Sequence, residues 1–142
     1  MKKILFLLLV LSVAACKKSN QQNAGNNPVQ SIPVSLTIYP NDPTNFKIQA
    51  IGGWMYFSGG LNGIVVYRKT EQDFIAVERT SSYAPSNAKA KVWVMSDNFS
   101  LIDSVSQSRW RIFDGSVTKG PATWPLRLYG AVYDGNALVI RN

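Results

Sequence analysis

From Pro33 to the end of the chain, apolar and polar residues alternate with period two, and no stretch sustains the 3.6-residue repeat of an amphipathic helix. Val34 to Tyr39 alternates cleanly. Further β-prone runs follow at Trp54–Phe57, Ile64–Arg68, Phe74–Arg79, Val92–Met95, Ser100–Asp103, Trp110–Phe113, Leu126–Tyr133 and Ala137–Arg141. Turn chemistry separates them: Ser58-Gly59-Gly60, Asn62-Gly63, Asp114-Gly115 and Asp134-Gly135-Asn136. Tyr39–Pro43 and Gly120–Pro125 read as loops, because proline has no N–H to give to a central ladder. Short strands at this spacing predict an all-β domain, a sandwich or a barrel-like form. No internal repeat is visible.

The first 32 residues read differently. Lys2 and Lys3 precede an uninterrupted apolar run, Ile4 to Leu11, and only Ser12 breaks the stretch to Ala15. The run is too short to cross a hydrocarbon core, which takes about 20 apolar residues, so residues 1–15 are expected to be a signal peptide. Val13-Ala14-Ala15-Cys16 resembles the bacterial lipobox, with Val13 where leucine is commonest. That resemblance implies cleavage before Cys16, a diacylglycerol on its thiol and an acyl group, such as palmitate, on its amine. Each buried methylene contributes about 0.8 kcal/mol, so two or three chains anchor far more firmly than one. The competing reading is an ordinary signal peptide with a chance cysteine. Against it, Cys16 is the only cysteine of the chain, cannot form an internal disulfide, and would be a liability as a free exported thiol.

Lys17 to Ile32 is polar, rich in Asn and Gln, and without a hydrophobic period. Residues 16–32 are therefore expected to be the acylated cysteine and a flexible tether, with a reach of about 20–25 Å, and residues 33–142 the domain. No acidic cluster follows Cys16, which favours a lipid-anchored envelope protein on the outer membrane, facing the periplasm.

Composition changes this picture little. Hydrophobic residues make up 46% of the chain and charged ones 16%, as in a packed globular domain. The net charge of +7 falls to +5 once Lys2 and Lys3 leave with the leader. The basic residues are scattered rather than clustered, so the surplus suits a surface near an anionic membrane and not a nucleic-acid partner.

The segment from Ser108 to Ile140 resembles the Rieske iron–sulfur domain. The resemblance rests on Ser108-Arg109-Trp110, Phe113-Asp114-Gly115-Ser116-Val117, Gly120-Pro121-Ala122, Pro125-Leu126, Tyr129 and the closing Asp134-Gly135 hairpin. Gly63–Arg68 and Phe74–Thr80 look like the strands leading into the first cluster-binding loop, so the likeness covers roughly residues 50–141. With the lipobox, the arrangement is similar to Bacteroidetes-type lipoproteins with Rieske-like domains. The resemblance implies a Rieske-like fold and, in the family, a [2Fe–2S] cluster held by Cys-x-His and Cys-x-x-His loops. Placed on this chain, the first loop has Ser81 at the cysteine position and Tyr83 at the histidine position. The second has Asp103 and Ser106. The chain has no histidine, and its one cysteine is Cys16, so the expected cofactor is none.

The same absence removes a Cys–His or His-based zinc site, and no Ser-x-x-Lys opens a helix. Asp97, Asp103 and Asp114 lack the spacing of a calcium loop and read as turn and strand-end carboxylates. Trp54 and Trp93 are expected to fill the core. Trp124, with Tyr83 and Tyr129, is expected to cap the emptied cluster site or to line a small aromatic surface. The leading expectation is a non-catalytic envelope module, structural or interacting with an envelope protein. The alternatives are an electron-transfer protein of the Rieske type and a module binding a small envelope ligand.

Overall fold

The computed structural model describes residues 27–142. The leader and Cys16 lie outside the described residues. Ten strands form two antiparallel sheets. The larger has six strands in the order β1-β10-β9-β4-β3-β2: β1 (Ser35–Ile38), β2 (Trp54–Phe57), β3 (Ile64–Arg68), β4 (Phe74–Glu78), β9 (Leu128–Tyr133) and β10 (Leu138–Arg141). The smaller runs β5-β6-β7-β8: β5 (Val92–Val94), β6 (Ser100–Asp103), β7 (Arg109–Arg111) and β8 (Val117–Lys119). The all-β expectation holds.

Burial along β3 shows how the two sheets share a core. All five of its residues are buried, although the strand is not a uniform apolar run on one face. Ile64 and Val66 point into one cluster with Ile38, Ile48, Phe74, Leu138 and Ile140. Val65 and Tyr67 point the other way, into a second cluster with Val77, Val92, Leu101, Trp110, Ile112 and Leu126. Successive strand side chains face opposite sides of a sheet, so a strand covered on both faces is apolar on both, as β3 is from Ile64 to Tyr67. β3 and β4 are thus the wall between a core inside the large sheet and a core beneath the small one. Truncating a residue there, such as Ile64→Ala, would cost about 2–5 kcal/mol.

Three departures from the sequence reading have local causes. The Tyr39–Pro43 loop runs into a short 3-10 helix, Pro43–Ile48. Asp42 caps it, accepting from Thr44 N at 2.8 Å, and Pro43 supplies the preset φ of a first helical position. Six residues are too few to show a helical repeat. β8 was not expected. It has only three residues, its last two are exposed, and a bulge between Arg109 and Trp110 shifts its register with β7. β7 itself ends at Arg111, and Phe113 falls in the Asp114-Gly115 turn, closed by Gly115 N donating to Arg111 O at 2.9 Å.

The third departure is at the tether. Residues 27–32, expected as its free end, pack on the domain. Val29 is fully buried, and its carbonyl accepts from Arg127 Nε at 3.1 Å. Asn27 Nδ2 donates to Pro125 O at 3.0 Å, and Asn142 Nδ2 to Ile32 O at 2.7 Å. One apolar side chain and a few side-chain amides suffice to hold the segment down, where its polar composition suggested coil.

Candidate functional site

Three loops meet beside the small sheet: the one after β4, the β6–β7 turn, and Gly120–Pro125. Ser81 and Asp103 are fully buried. Ser81 N donates to Ala90 O at 2.9 Å, and Ser81 Oγ accepts from Tyr83 N at 3.3 Å, which folds the first loop back on itself. Asp103 ends β6. Its carboxylate accepts from Val105 N at 2.9 Å and from Ser106 Oγ at 2.7 Å, so it closes the turn in the manner of an Asx motif. Gln107 takes a left-handed φ of 60° to complete that turn.

Two serines that the sequence reading did not assign to the site, Ser82 and Ser108, tie the loops together. Ser82 Oγ donates to Trp124 O at 2.6 Å. Ser108, fully buried, accepts from Ala122 N at 2.9 Å on its hydroxyl, which also lies 2.9 Å from Ser106 Oγ. Trp110, the largest fully buried side chain, donates from its indole to the same Trp124 carbonyl at 3.0 Å. The Gly120–Pro125 loop is therefore pinned by backbone groups at Ala122 and Trp124. The Trp124 ring itself is 41% exposed and the Tyr83 ring 50%.

The structure thus brings Ser81, Tyr83 and Trp124 to one end of the small sheet. Asp103 and Ser106 join them through Ser108 and Ala122. It does not bring Tyr129 there. Tyr129 lies in the core of the large sheet, 6% exposed, and its hydroxyl donates to Glu78 Oε2 at 2.6 Å. As the second residue of β9, Tyr129 faces whichever side the pleat dictates, and here that side is the interior. Tyr129 is no part of a loop surface.

Tyr129 instead completes a buried polar node. Glu78 is fully buried, and both its oxygens accept. Oε1 takes Asn62 N at 3.1 Å, Thr80 N at 2.9 Å and Thr80 Oγ1 at 2.8 Å, and Oε2 takes Leu61 N at 2.8 Å as well as Tyr129. Burial and the bond to Glu78 push the Tyr129 hydroxyl well above the ordinary tyrosine range. The node fixes the Gly-rich 58–63 loop against β4. Gly60 is required there: its φ is +61°, and a Cβ would collide with Glu78 Oε2 and Tyr129 Oη.

Trp93 also departs from its expected place. It is 47% exposed, because Val92 and Val94 alternate inward and leave it outward. Its ring covers Arg79, whose guanidinium carbon sits 4.5 Å from the Trp93 centroid and 3.6 Å from that of Tyr56. Trp54 is half-buried and donates from its indole to Asn98 Oδ1 at 3.0 Å.

A Rieske-type [2Fe–2S] cluster does not fit Ser81, Tyr83, Asp103 and Ser106, the residues that the resemblance puts at its ligand positions. It takes two thiolates and two imidazoles, and the donors here are two serine hydroxyls, a phenol and a carboxylate, hard oxygens of the wrong class. The Asp103 and Ser106 groups are moreover turned onto each other. Among the described residues no three His, Cys, Asp or Glu side chains group as a metal site.

No protein-family model matches the chain, and no curated protein does. Solved structures do. The chain is similar to the ferredoxin of carbazole 1,9a-dioxygenase from Nocardioides aromaticivorans IC177, with 17% identity and a TM-score of 0.51, covering 78% of this chain and 97% of that one. It also resembles a chain described as an NADH-dependent nitrite reductase small subunit from Mycobacterium tuberculosis, at 13% identity and a TM-score of 0.46, over 79% and 97% of the two chains. At 17% identity the likeness to the ferredoxin shows the fold alone: the domain has the Rieske-like architecture.

Proposed function

We propose that the chain is a lipid-anchored protein of the bacterial envelope whose Rieske-like domain carries no cluster and acts as a non-catalytic interaction module. The observation that carries the reading is the donor set. Ser81, Tyr83, Asp103 and Ser106 stand at the four ligand positions, and three of them bond within their own loops. The chain has no histidine to replace them with. Ser82, Ser108 and Trp110 hold the third loop onto the first two, so the end of the small sheet is a closed, hydrogen-bonded surface presenting Tyr83 and Trp124. Aromatic rings on a rigid backbone suit contact with another envelope protein, since they bring area at little entropic cost.

The anchoring half of the reading rests on the lipobox-like run ending at Cys16. Asn27 is bonded to Pro125, so the chain from Cys16 joins the domain beside the aromatic loop. The test is a pair of measurements on the full chain expressed in a Gram-negative host. Labelled palmitate should be incorporated and lost in Cys16→Ala. Cross-linking in the envelope should recover a reproducible partner that disappears in Trp124→Ala, and loss of no partner would remove the interaction role.

A further inference from the structure

The 58–63 loop, Arg79 and Lys91 line an open cleft of about 480 Å³ beside Tyr56, whose ring meets that of Trp93 edge to face. From its geometry we infer that this cleft is a binding site for a small oxyanion, a phosphate, sulfate or carboxylate group carried by an envelope metabolite or polymer.

The residue that carries the inference is Arg79. It is only 5% exposed, and of its three guanidinium nitrogens Nε donates to Val92 O at 3.2 Å while Nη2 is buried without an acceptor. An unpaired buried donor on a charged group is costly, so proteins rarely leave one without a use. Arg79 also has no carboxylate partner. The salt bridge found among the described residues joins Arg111 and Asp114, elsewhere on the small sheet. The guanidinium carbon lies 3.6 Å from the Tyr56 ring centroid and 4.5 Å from that of Trp93, two rings set perpendicular to each other, so aromatic π-faces and not carboxylates surround the charge. A guanidinium fork with a free donor can grip an oxyanion through charge-assisted hydrogen bonds.

Lys91 adds a second cation. It lines the same cleft, with its ammonium 5.9 Å from the Trp93 ring, and it is held beside Arg79 by the Thr80–Lys91 bridge. Burial and the neighbouring guanidinium push its ammonium below the ordinary lysine range, the strain expected of two cations that share one cleft. An anion between them would relieve it. The opposing wall is the 58–63 loop, where Gly60 and Gly63 hold left-handed φ of +61° and +95° and Gly63 carries no side chain on the side of Arg79. Glycine lets main chain approach a ligand where a Cβ would not. The nearby carboxylate, Glu78, is turned under the loop and saturated by five donors, so it does not neutralise Arg79 directly. The inference is independent of the lipid anchor and of the former cluster site.

Isothermal titration of the full chain with inorganic phosphate, with chloride making up constant ionic strength, tests it. Saturable binding is expected with Kd on the order of 1 mM, as two charge-assisted contacts in an open cleft support. Lys91→Gln, a surface change that leaves the fold intact, should weaken it several-fold, and Arg79→Gln should abolish it, with Arg79→Lys in between. Sulfate and acetate titrated in the same way separate tetrahedral oxyanions from carboxylates, and saturable binding of either supports the site. Absence of saturable heat for all three anions, or binding that Lys91→Gln and Arg79→Gln leave unchanged, would overturn it.

Discussion

The buried node at Glu78 gives a sharp prediction. Glu78→Gln keeps the size of the side chain and replaces one carboxylate oxygen by an amide. The amide oxygen best takes the Oε1 position, where three donors converge from Asn62 and Thr80. The NH2 then faces Leu61 N and Tyr129 Oη. The tyrosine hydroxyl can rotate and accept, but the Leu61 amide cannot, and it is left as an unpaired donor at a cost of about 1–3 kcal/mol. The remaining bonds lose their charge assistance, which brings the expected loss to about 2–4 kcal/mol. For a domain of this size that lowers Tm by about 8–16 °C. Tyr129→Phe removes one bond to the same group and should cost less, about 1.5–3 kcal/mol. The double variant should cost less than the sum, because the second change removes a partner already lost.

The pH dependence has a definite sign. The Tyr129 hydroxyl titrates above its unfolded value of about 10, so its protonated form is favoured by the fold. Its stabilisation is complete below pH 10 and is lost as pH rises beyond it. The gap in Tm between the wild type and Tyr129→Phe should therefore be constant at neutral pH and shrink in strongly alkaline buffer. Melting followed by circular dichroism checks all of this. A Glu78→Gln protein melting within about 2 °C of the wild type, or strictly additive costs in the cycle, would refute the buried node.

Three further outcomes are expected. Gly60→Ala places a Cβ against the Glu78–Tyr129 pair in a left-handed backbone, and should lower Tm at least as much as Glu78→Gln, read in the same melts. Trp110→Phe removes the indole bond to Trp124 O and should loosen the Gly120–Pro125 loop, seen as faster amide exchange at Ala122, whereas Trp110→Ala should cost about 3–5 kcal/mol. Cys16→Ala should move the protein from the membrane fraction to the soluble envelope fraction on cell fractionation.

Much of the sheet was legible because strand periodicity is local. Ile64–Arg68 and Trp54–Phe57 appear in the structure with the bounds their sequence suggests. The parts that were not legible depend on contacts distant in sequence. Glu78 reads as a polar strand end, and nothing near it shows that Tyr129, 51 residues on, and the 58–63 loop will enclose it. Tyr129 was assigned to a loop surface for the same reason. Trp93 could have been placed from its own neighbours, since the inward Val92 and Val94 leave an intervening residue on the other face. The 3-10 helix also left a signal, Asp42 before Pro43, too short for periodicity but sufficient as a cap. β8 left none, being three residues with little burial. At the candidate site the sequence gives residue types, but Ser82 and Ser108 gain their roles only from the loops that meet them.

Purification of the full chain from iron-replete cells, with iron and acid-labile sulfide determined per chain alongside the visible spectrum, tests most directly the proposal that this Rieske-like domain, with Ser81, Tyr83, Asp103 and Ser106 at the proposed ligand positions, carries no cluster. A colourless protein with iron and sulfide far below one per chain is expected. About two irons and two sulfides per chain, with the visible bands of a [2Fe–2S] centre, would contradict the proposed function.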